Sequence, residues 1–424
     1  MKVRELIEGL GAGRFDPRLR EIYGETADLQ RERIGALARQ FFEEFGDRDQ
    51  AGVWSAPGRS EIGGNHTDHQ LGNVIAAAVS LDTVAVAAPC RGTKVRIRSE
   101  GFPPCEADIK KLEPNKKEAG TTQALVRGVC AAFRERGFDV GAFDMCAASD
   151  VPPGSGLSTS AAFEVLVGNI VNSLFAGGAV DPVEIAKIGQ YAENTFFMKP
   201  CGLMDQMASS VGGFVAIDFF DPDAPLLNTI RYSLEENGFA LCVVNAGGSH
   251  ADLTDEYASI TEECKAVSRF FGKNHLSRVD EQEFYRRMGE LRGKVNDRAL
   301  VRAIHFFGEN KRAKKEYAAL RNNDIGLFLE LVTESGYSSY MYLQNVYPSN
   351  DPNERSVSLA LAVSEKYLKG RGAWRVQGGG FAGTIEAFVP LDLKDAYQAA
   401  MEGIFGPGSC HYLAVRPYGG VRLI

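Results

Sequence analysis

Side chains that can do chemistry are concentrated in residues 55–70, whose sequence is SAPGRSEIGGNHTDHQ. An arginine, a glutamate, two histidines and an aspartate occur there within a dozen positions. Histidines and carboxylates can accept hydrogen bonds from a polar ligand, and histidines can also donate them. His66 and His69 could bind one metal ion from the same face of a helix, but the flanking glycines disfavour a helix here. The segment is therefore a candidate binding loop for a polar ligand and not a predicted zinc site.

Residues 149–175, SDVPPGSGLSTSAAFEVLVGNIVNSLF, predict a strand, a loop of proline, glycine and serine, and then a helix. Such a junction directs backbone N–H groups and the positive end of a helix at an anion, for which phosphate is the obvious candidate. The loop is not a Walker A motif, because no Gly-Lys-Ser/Thr follows, and Thr159 occupies the third glycine position of the dinucleotide pattern. From the loop alone, a tight turn capped by serines is an equally good interpretation.

The segment GGGFAG, residues 378–383, does match the dinucleotide-binding pattern G-x-G-x-x-G. That pattern must open a helix, however, whereas the following TIEAFV alternates like a strand and contains β-branched residues. We therefore predict a glycine-rich hairpin or loop that packs closely against a backbone or a ligand.

The elements around these segments alternate between helices and strands. Periodicity predicts helices within residues 1–50 and at 121–137, 157–175, 183–196 and 391–403, with a mostly helical region from 250 to 345. Strands are predicted at 74–89, 93–101, 142–150, 212–220, 239–247 and on both sides of the last helix. This order predicts a two-domain α+β protein with a break between residues 215 and 240.

Composition limits the class of ligand. A chain of 424 residues with 44% hydrophobic residues is too long for one compact core, so two domains with a cleft are expected. The formal net charge of −8 argues against nucleic acid and anionic membranes as partners, and favours a small molecule. The chain shows neither an apolar run of membrane-spanning length nor the apolar core of a secretory signal, so a cytoplasmic protein is expected.

Four segments together resemble the GHMP kinase family and, within it, the galactokinase group. APGRSEIGGNHTDHQLG is similar to the opening motif, VPPGSGLSTSAA to the phosphate loop, and RVQGGGFAGTI to the C-terminal glycine motif. ENTFFMKPCGLMDQMASSVGG, residues 193–213, is similar to a segment typical of galactokinases. The resemblance extends from about Val53 to Ile385 and is patchy between 265 and 370.

The resemblance implies a fold and an activity. The fold would be α+β, with an α/β domain like domain 2 of ribosomal protein S5 in residues 1–225 and a ferredoxin-like α+β domain in residues 226–424. The active site would lie in the cleft between them. The activity would be transfer of the γ-phosphate of ATP to the C1 hydroxyl of galactose, with Mg²⁺ as cofactor and a sugar and Mg-ATP as the bound small molecules.

The resemblance also assigns catalytic roles. Asp205 matches the aspartate that acts as general base or only orients the hydroxyl, and Arg59 matches the arginine beside it and the γ-phosphate. Glu193 and Ser160 match the residues that hold Mg²⁺, although Ser158 or Thr159 could exchange roles with Ser160. Taken singly, Asp205, Arg59 and Glu193 are explained more simply as a helix cap, an ion-pair partner and part of a solvated face. The phosphate-binding residues would be Pro153, Gly154, Ser155, Gly156, Leu157, Ser158, Thr159 and Ser160.

The matching sugar-binding residues are Asn65, His66, Asp68, Gly202 and Tyr257. The chain departs from the family pattern at four positions: Asn65 replaces a glutamate, Glu61 an asparagine, His69 a tyrosine and Ala382 a glycine. Because the glutamate faces the sugar's 6-hydroxyl, an amide there leaves galacturonate as an alternative to galactose. A second alternative is a sugar sensor without turnover, although the intact STSAA and Asp205 favour an enzyme.

Overall fold

The computed structural model describes residues 1–152, 154–248, 253–351 and 353–424, with only the backbone of Thr254. Its helices are α1 (Val3–Gly11), α2 (Asp16–Tyr23), α3 (Ala27–Phe45), α4 (Thr122–Glu135), α5 (Thr159–Phe175), α6 (Pro182–Tyr191), α7 (Met204–Val211), α8 (Thr254–Phe270), α9 (Glu281–Arg286), α10 (Met288–Arg292), α11 (Asp297–Arg321), α12 (Ile325–Ser338), α13 (Ser356–Leu368) and α14 (Lys394–Phe405). Its strands are β1 (Gly52–Gly63), β2 (Asn73–Pro89), β3 (Lys94–Ser99), β4 (Cys105–Asp108), β5 (Phe143–Ser149), β6 (Phe214–Asp218), β7 (Leu226–Ile230), β8 (Phe239–Gly247), β9 (Ala373–Val376), β10 (Gly383–Pro390), β11 (Cys410–Leu413) and β12 (Val421–Arg422).

The larger sheet is covered by helices on both faces. Its strand order is β12-β1-β2-β5-β3-β4, and β6 pairs with both β2 and β7. Side chains alternate across β5, so that Phe143 and Met145 pack against α4, α5 and α6, whereas Cys146 packs against the N-terminal helices. On α3, Ile34 and Phe41 are fully buried against this second face, as their helical spacing predicts.

The smaller sheet has strand order β11-β8-β10-β9 and is antiparallel. Helices α13 and α14 cover one face. On the other face, Leu241, Val243 and Phe388 share one apolar core with α12 and with Ile62 and Ile75 of the larger sheet. This core joins the two sheets, and the α+β fold that the sequence predicted is confirmed. Strands β9 and β10 enclose residues 377–382, which confirms the predicted glycine-rich hairpin.

Some elements differ from the predictions. Residues 55–63, interpreted as part of a loop, belong to β1, and every residue of that strand is buried. The buried polar side chains of β1 have hydrogen-bond partners from the smaller sheet. Ser60 Oγ donates to Glu386 Oε2, and Arg375 Nη2 donates to Glu61 Oε1. Helix α7 and the short strands β4, β7 and β12 were not predicted from the sequence.

The division into residues 1–225 and 226–424 stays a prediction. Strand β7 begins at Leu226 but pairs with β6 of the larger sheet, and β12 near the C-terminus pairs with β1. In the part of the chain that the structure describes, no helix combines the length and the apolar character needed to cross a membrane.

Candidate active site

Arg59 and Asp205 form a bidentate ion pair between β1 and the first turn of α7. Arg59 Nε donates to Asp205 Oδ1 at 2.6 Å and Nη2 to Oδ2 at 2.5 Å, while Nη1 donates to the carbonyl oxygen of Gly156. A register shift between Pro57 and Arg59 in the pairing of β1 with β2 accompanies this placement. Burial raises the pKa of Asp205, but the Arg59 charge and the hydrogen bonds from Arg59 and Ser158 outweigh burial and lower it. The two residues predicted as catalytic, 146 positions apart, are therefore in direct contact.

The phosphate loop predicted from the sequence lies between β5 and α5 and contacts this pair. Ser158 has the left-handed φ of 56°, and its Oγ donates to Asp205 Oδ2 at 2.7 Å. Gly156 has a φ of 70°, and a Cβ there would lie 2.5 Å from Gln377 Oε1, so a larger residue would be strained and would displace that side chain. Thr159 begins α5, whose first N–H groups have no partner within the helix. Of the predicted phosphate-binding residues, Pro153 lies outside the described residues.

The predicted Mg²⁺ ligands Glu193 and Ser160 lie close to each other. Glu193 is in the wide helical turn that follows α6, and Ser160 Oγ lies 3.5 Å from its Oε1. Lys199 Nζ lies 3.6 Å from the same oxygen, a contact that sequence reasoning missed. A hydroxyl and a carboxylate are oxygen donors of the kind that Mg²⁺ prefers. Among the described residues, no group of three or more His, Cys, Asp and Glu side chains could hold a metal.

The turn between β1 and β2 brings Asp68 near Gly202 and His66 near the glycine hairpin. A Cβ on Gly202 would lie 2.4 Å from Asp68 Oδ2, so a larger residue would displace that carboxylate. Burial lowers the pKa of His66 to about 4, with a further contribution from His69, so the ring is neutral. Its Nε2 lies 3.0 Å from the carbonyl oxygen of Gly379, so that nitrogen carries the proton. The Tyr257 hydroxyl donates to the carbonyl oxygen of Gly380 at 3.0 Å.

Asn65 does not fit its predicted contact with a sugar 6-hydroxyl. Its Nδ2 donates to Glu61 Oε1 at 2.7 Å and to the Gly378 carbonyl oxygen at 2.8 Å. Its Oδ1 accepts from Asn345 Nδ2 at 2.9 Å and from Ser339 Oγ at 3.2 Å. Residues of the described chain thus use both donors and both acceptor positions of the amide, and the side chain is fully buried. Asn65 ties the turn to the glycine hairpin instead of facing a ligand.

A cluster of buried carboxylates lies behind β1. Glu61 is paired with Arg375 at 2.8 Å, but neither carboxylate oxygen of Glu316 and only one of Glu386 has a hydrogen-bond partner among the residues described. Burial raises the pKa of Glu386 to about 7, and burial together with the neighbouring Glu309 raises the pKa of Glu316 to about 8. Both groups are therefore largely protonated below neutral pH in the folded protein.

This cluster predicts a stability that falls as pH rises. The pKa of each of these carboxyl groups is higher in the folded protein than its value of about 4.5 in the unfolded chain. Each group therefore stabilises the folded protein fully at a pH below 4.5. This stabilisation is lost as the pH rises through the pKa of the folded protein. We expect the free energy of unfolding in urea to fall between pH 5 and pH 8.5, by ~1.4 kcal/mol per pH unit for each group in its titration range. Glu316→Gln should weaken this dependence and make the protein more stable than wild type at pH 8.5.

The matched control is Glu309→Gln on the same helix. Glu309 is fully buried too, but it is paired with Arg312 and accepts a hydrogen bond from Ser335 Oγ at 2.6 Å. Its replacement should destabilise the protein because it breaks a buried ion pair, and it should weaken the pH dependence only in part, since burial is the larger cause of the raised Glu316 pKa and the Glu309 charge the smaller one. A Glu316→Gln protein with the wild-type pH dependence would contradict protonation of Glu316.

An apolar cavity of about 180 Å³ opens beside the start of α5. Thr159 and Ser160 form one edge, and residues from β3, β5, α4 and the segment after β3 form the walls. The apolar lining residues are Ile97, Phe102, Pro103, Leu125, Ala147, Ala148 and Phe163. Sequence reasoning missed this cavity, because its walls come from elements that are distant along the chain.

Two regions of the chain match models of known protein families. Residues 39–89 match the galactokinase galactose-binding signature, and residues 124–213 match the N-terminal domain of GHMP kinases. The first match contains β1 with Arg59 and the turn with His66 and Asp68. The second contains the phosphate loop, Glu193 and Asp205.

Individual relatives agree with these matches. A galactokinase of Glaesserella parasuis serovar 5 (strain SH0165) is 34% identical over 363 residues, which cover 84% of this chain and 90% of that protein. The crystal structure of Lactococcus lactis galactokinase complexed with galactose superposes with a TM-score of 0.80 at 23% identity, covering 92% of this chain and 99% of that one. Methanococcus jannaschii mevalonate kinase superposes with a TM-score of 0.61 at 12% identity, covering 87% of this chain and 99% of that one.

Proposed function

The chain belongs to the galactokinase family of the GHMP kinases, and from this premise we propose that it transfers the γ-phosphoryl group of ATP to the C1 hydroxyl of galactose. The observation that carries the proposal is the bidentate pair of Arg59 and Asp205 against the phosphate loop. A kinase needs a carboxylate near the attacking hydroxyl and a cation near the transferred phosphoryl group, and this pair supplies both.

Asp205 acts on the sugar hydroxyl. The lowered pKa keeps its carboxylate ionised at neutral pH, so that it orients the C1 hydroxyl and accepts its proton. The hydroxyl oxygen forms a bond to the γ-phosphorus, and the bond from that phosphorus to the bridging oxygen of ADP breaks. Arg59 places a fixed positive charge beside the site, where it stabilises the charge on the phosphoryl oxygens. The proton leaves Asp205 to solvent after transfer.

The nucleotide lies along the loop from Gly154 to Ser160. Backbone N–H groups of the loop and the start of α5 donate to its phosphates, and the positive end of α5 faces them. The apolar cavity beside Thr159 and Ser160 takes the adenine ring, since its walls are apolar and adjoin the phosphate loop.

The predicted Mg²⁺ ligands fit a hard cation. Ser160 Oγ and Glu193 Oε1 lie 3.5 Å apart, and both are oxygen donors. Because two protein ligands are too few for an independent metal site, phosphate oxygens would complete the coordination, as is usual for Mg²⁺. When bound, the ion neutralises phosphate charge. Lys199 adds a positive side chain beside Glu193.

The sugar is bound by His66, Asp68, the Gly202 backbone and Tyr257. Neutral His66 donates from Nε2 to the hairpin, which leaves its Nδ1 as an acceptor for a sugar hydroxyl. Neither alternative function gains support from the site. Galacturonate binding relied on an amide of Asn65 facing C6, and that amide is used by protein groups. A sensor without turnover would not need the Arg59–Asp205 pair.

The test is an assay of ADP release with Mg·ATP over galactose, glucose, mannose and galacturonate. We expect galactose to give the highest kcat/KM, and ³¹P NMR to show phosphate on the anomeric oxygen. Asp205→Asn serves as the control for contaminating kinases. A preference for galacturonate, or ATP and galactose binding without ADP release, would refute the proposed activity.

A further inference from the structure

Glu164 and Gln206 are buried polar side chains to which the mechanism above gives no role. Glu164 lies one turn after Ser160 on α5, so the two side chains share a face of the helix. Gln206 follows Asp205 in the first turn of α7. Both side chains are almost completely excluded from solvent.

The amide of Gln206 bridges two carboxylates. Its Nε2 donates to Glu164 Oε2 and to Glu193 Oε2, each at 2.9 Å, which uses both amide hydrogens. One side chain thereby connects α5, α7 and the turn that contains Glu193. Because the amide holds Oε2 of Glu193, the other oxygen, Oε1, is the one that faces Ser160 and Lys199.

The arrangement is not explained by stability alone. Glu164 Oε1 and Gln206 Oε1 are buried and have no hydrogen-bond partner in the described part of the chain. The side chains of Glu164 and Glu193 also share one amide, Lys199 contacts Glu193, and no arginine among the described residues pairs with either carboxyl group. Buried polar groups left unpaired are unfavourable, so an apolar pair of similar size would pack at lower cost.

We propose that Gln206, anchored by Glu164, is a positioning residue that turns one oxygen of Glu193 toward Ser160 and holds the start of α7, with Asp205, against it. The inference rests on the proposed function, because it assigns Glu193 to the cation of the nucleotide complex. Groups that orient a metal ligand through a hydrogen bond contribute to metal affinity without touching the ion.

The test measures binding of Mn²⁺ to the protein with saturating ADP by electron paramagnetic resonance. Gln206→Met keeps the length of the side chain and removes the amide, so the Kd for Mn²⁺ should rise by roughly 10- to 100-fold. Affinity for ADP without a divalent ion should stay at the wild-type value, since the loop backbone is untouched. Glu164→Met should weaken Mn²⁺ binding as well, whereas Glu164→Gln, which keeps an acceptor for Gln206, should restore it.

Gln190→Met is the matched control. Gln190 is a neighbouring glutamine whose Nε2 donates to the Cys201 carbonyl oxygen at 3.3 Å and not to Glu193, so its replacement should leave Mn²⁺ affinity unchanged. Wild-type Mn²⁺ affinity in folded Gln206→Met would overturn the proposal, even if turnover fell. If Gln206→Met does not fold, equal Mn²⁺ affinities of Glu164→Met and Glu164→Gln would overturn it. If the wild-type protein phosphorylates no sugar but the variants change Mn²⁺ affinity as expected, the proposed function fails and the positioning role stands.

Discussion

Asp205→Asn is expected to reduce kcat for galactose by about two to four orders of magnitude while the Kd values for galactose and ATP change little. An amide oxygen can still accept a hydrogen bond from Arg59, so the side chain keeps its place. It cannot take the proton of the attacking hydroxyl, and it leaves the Arg59 charge without its partner. The measurement is steady-state ADP release together with calorimetric binding of each substrate.

The control for this variant is Asp181→Asn. Asp181 also stands at the start of a helix, where its side chain accepts hydrogen bonds from the backbone N–H groups of Val183 and Glu184. Asparagine caps helices about as well as aspartate, so this protein should keep wild-type turnover and nearly all of its stability. Unchanged kcat in Asp205→Asn would remove Asp205 from the mechanism.

Asn65→Glu is expected to destabilise the protein by several kcal/mol, as is typical of a buried charge without a partner. The new carboxylate would lie beside the Glu61 carboxylate, and it would remove the donors to Glu61 and to the Gly378 carbonyl group. If Asn65 instead faced the sugar, as the sequence pattern implied, Asn65→Glu would keep or improve galactose phosphorylation. Urea unfolding and galactose kinetics of the purified variant distinguish the two cases.

Two further variants test how much of the expected loss of stability is due to burial and how much to charge repulsion. Asn322→Glu makes the same chemical change at an exposed position and should alter stability by no more than about 0.5 kcal/mol. Glu61→Gln combined with Asn65→Glu removes the repulsion between the two carboxylates and restores a donor, so the double variant should be more stable than Asn65→Glu alone. A folded Asn65→Glu protein with wild-type stability and galactose turnover would contradict the structural role of Asn65.

The sequence alone determined the fold class, the family and the order of the main elements. The glycines around GGGFAG and the strand-like alternation after it excluded a dinucleotide site, and the structure confirms a hairpin between β9 and β10. Such conclusions depend on local chemistry: periodicity selects helix or strand, and glycine, proline and serine select turns. The family pattern also named Arg59 and Asp205, which the structure brings into direct contact.

Only the tertiary structure decided which hydrogen-bond partners the buried polar side chains have. The sequence pattern implied that the Asn65 side chain contacts a ligand. In the structure its hydrogen-bond partners include Ser339, Asn345 and Gly378, which are more than 270 positions away along the chain. The bridge from Gln206 to Glu164 and Glu193 likewise joins three elements. Whether a buried amide or carboxylate meets a ligand or another side chain depends on which surfaces pack together. That packing is fixed by the apolar core between the two sheets, and no local pattern around a polar residue encodes it.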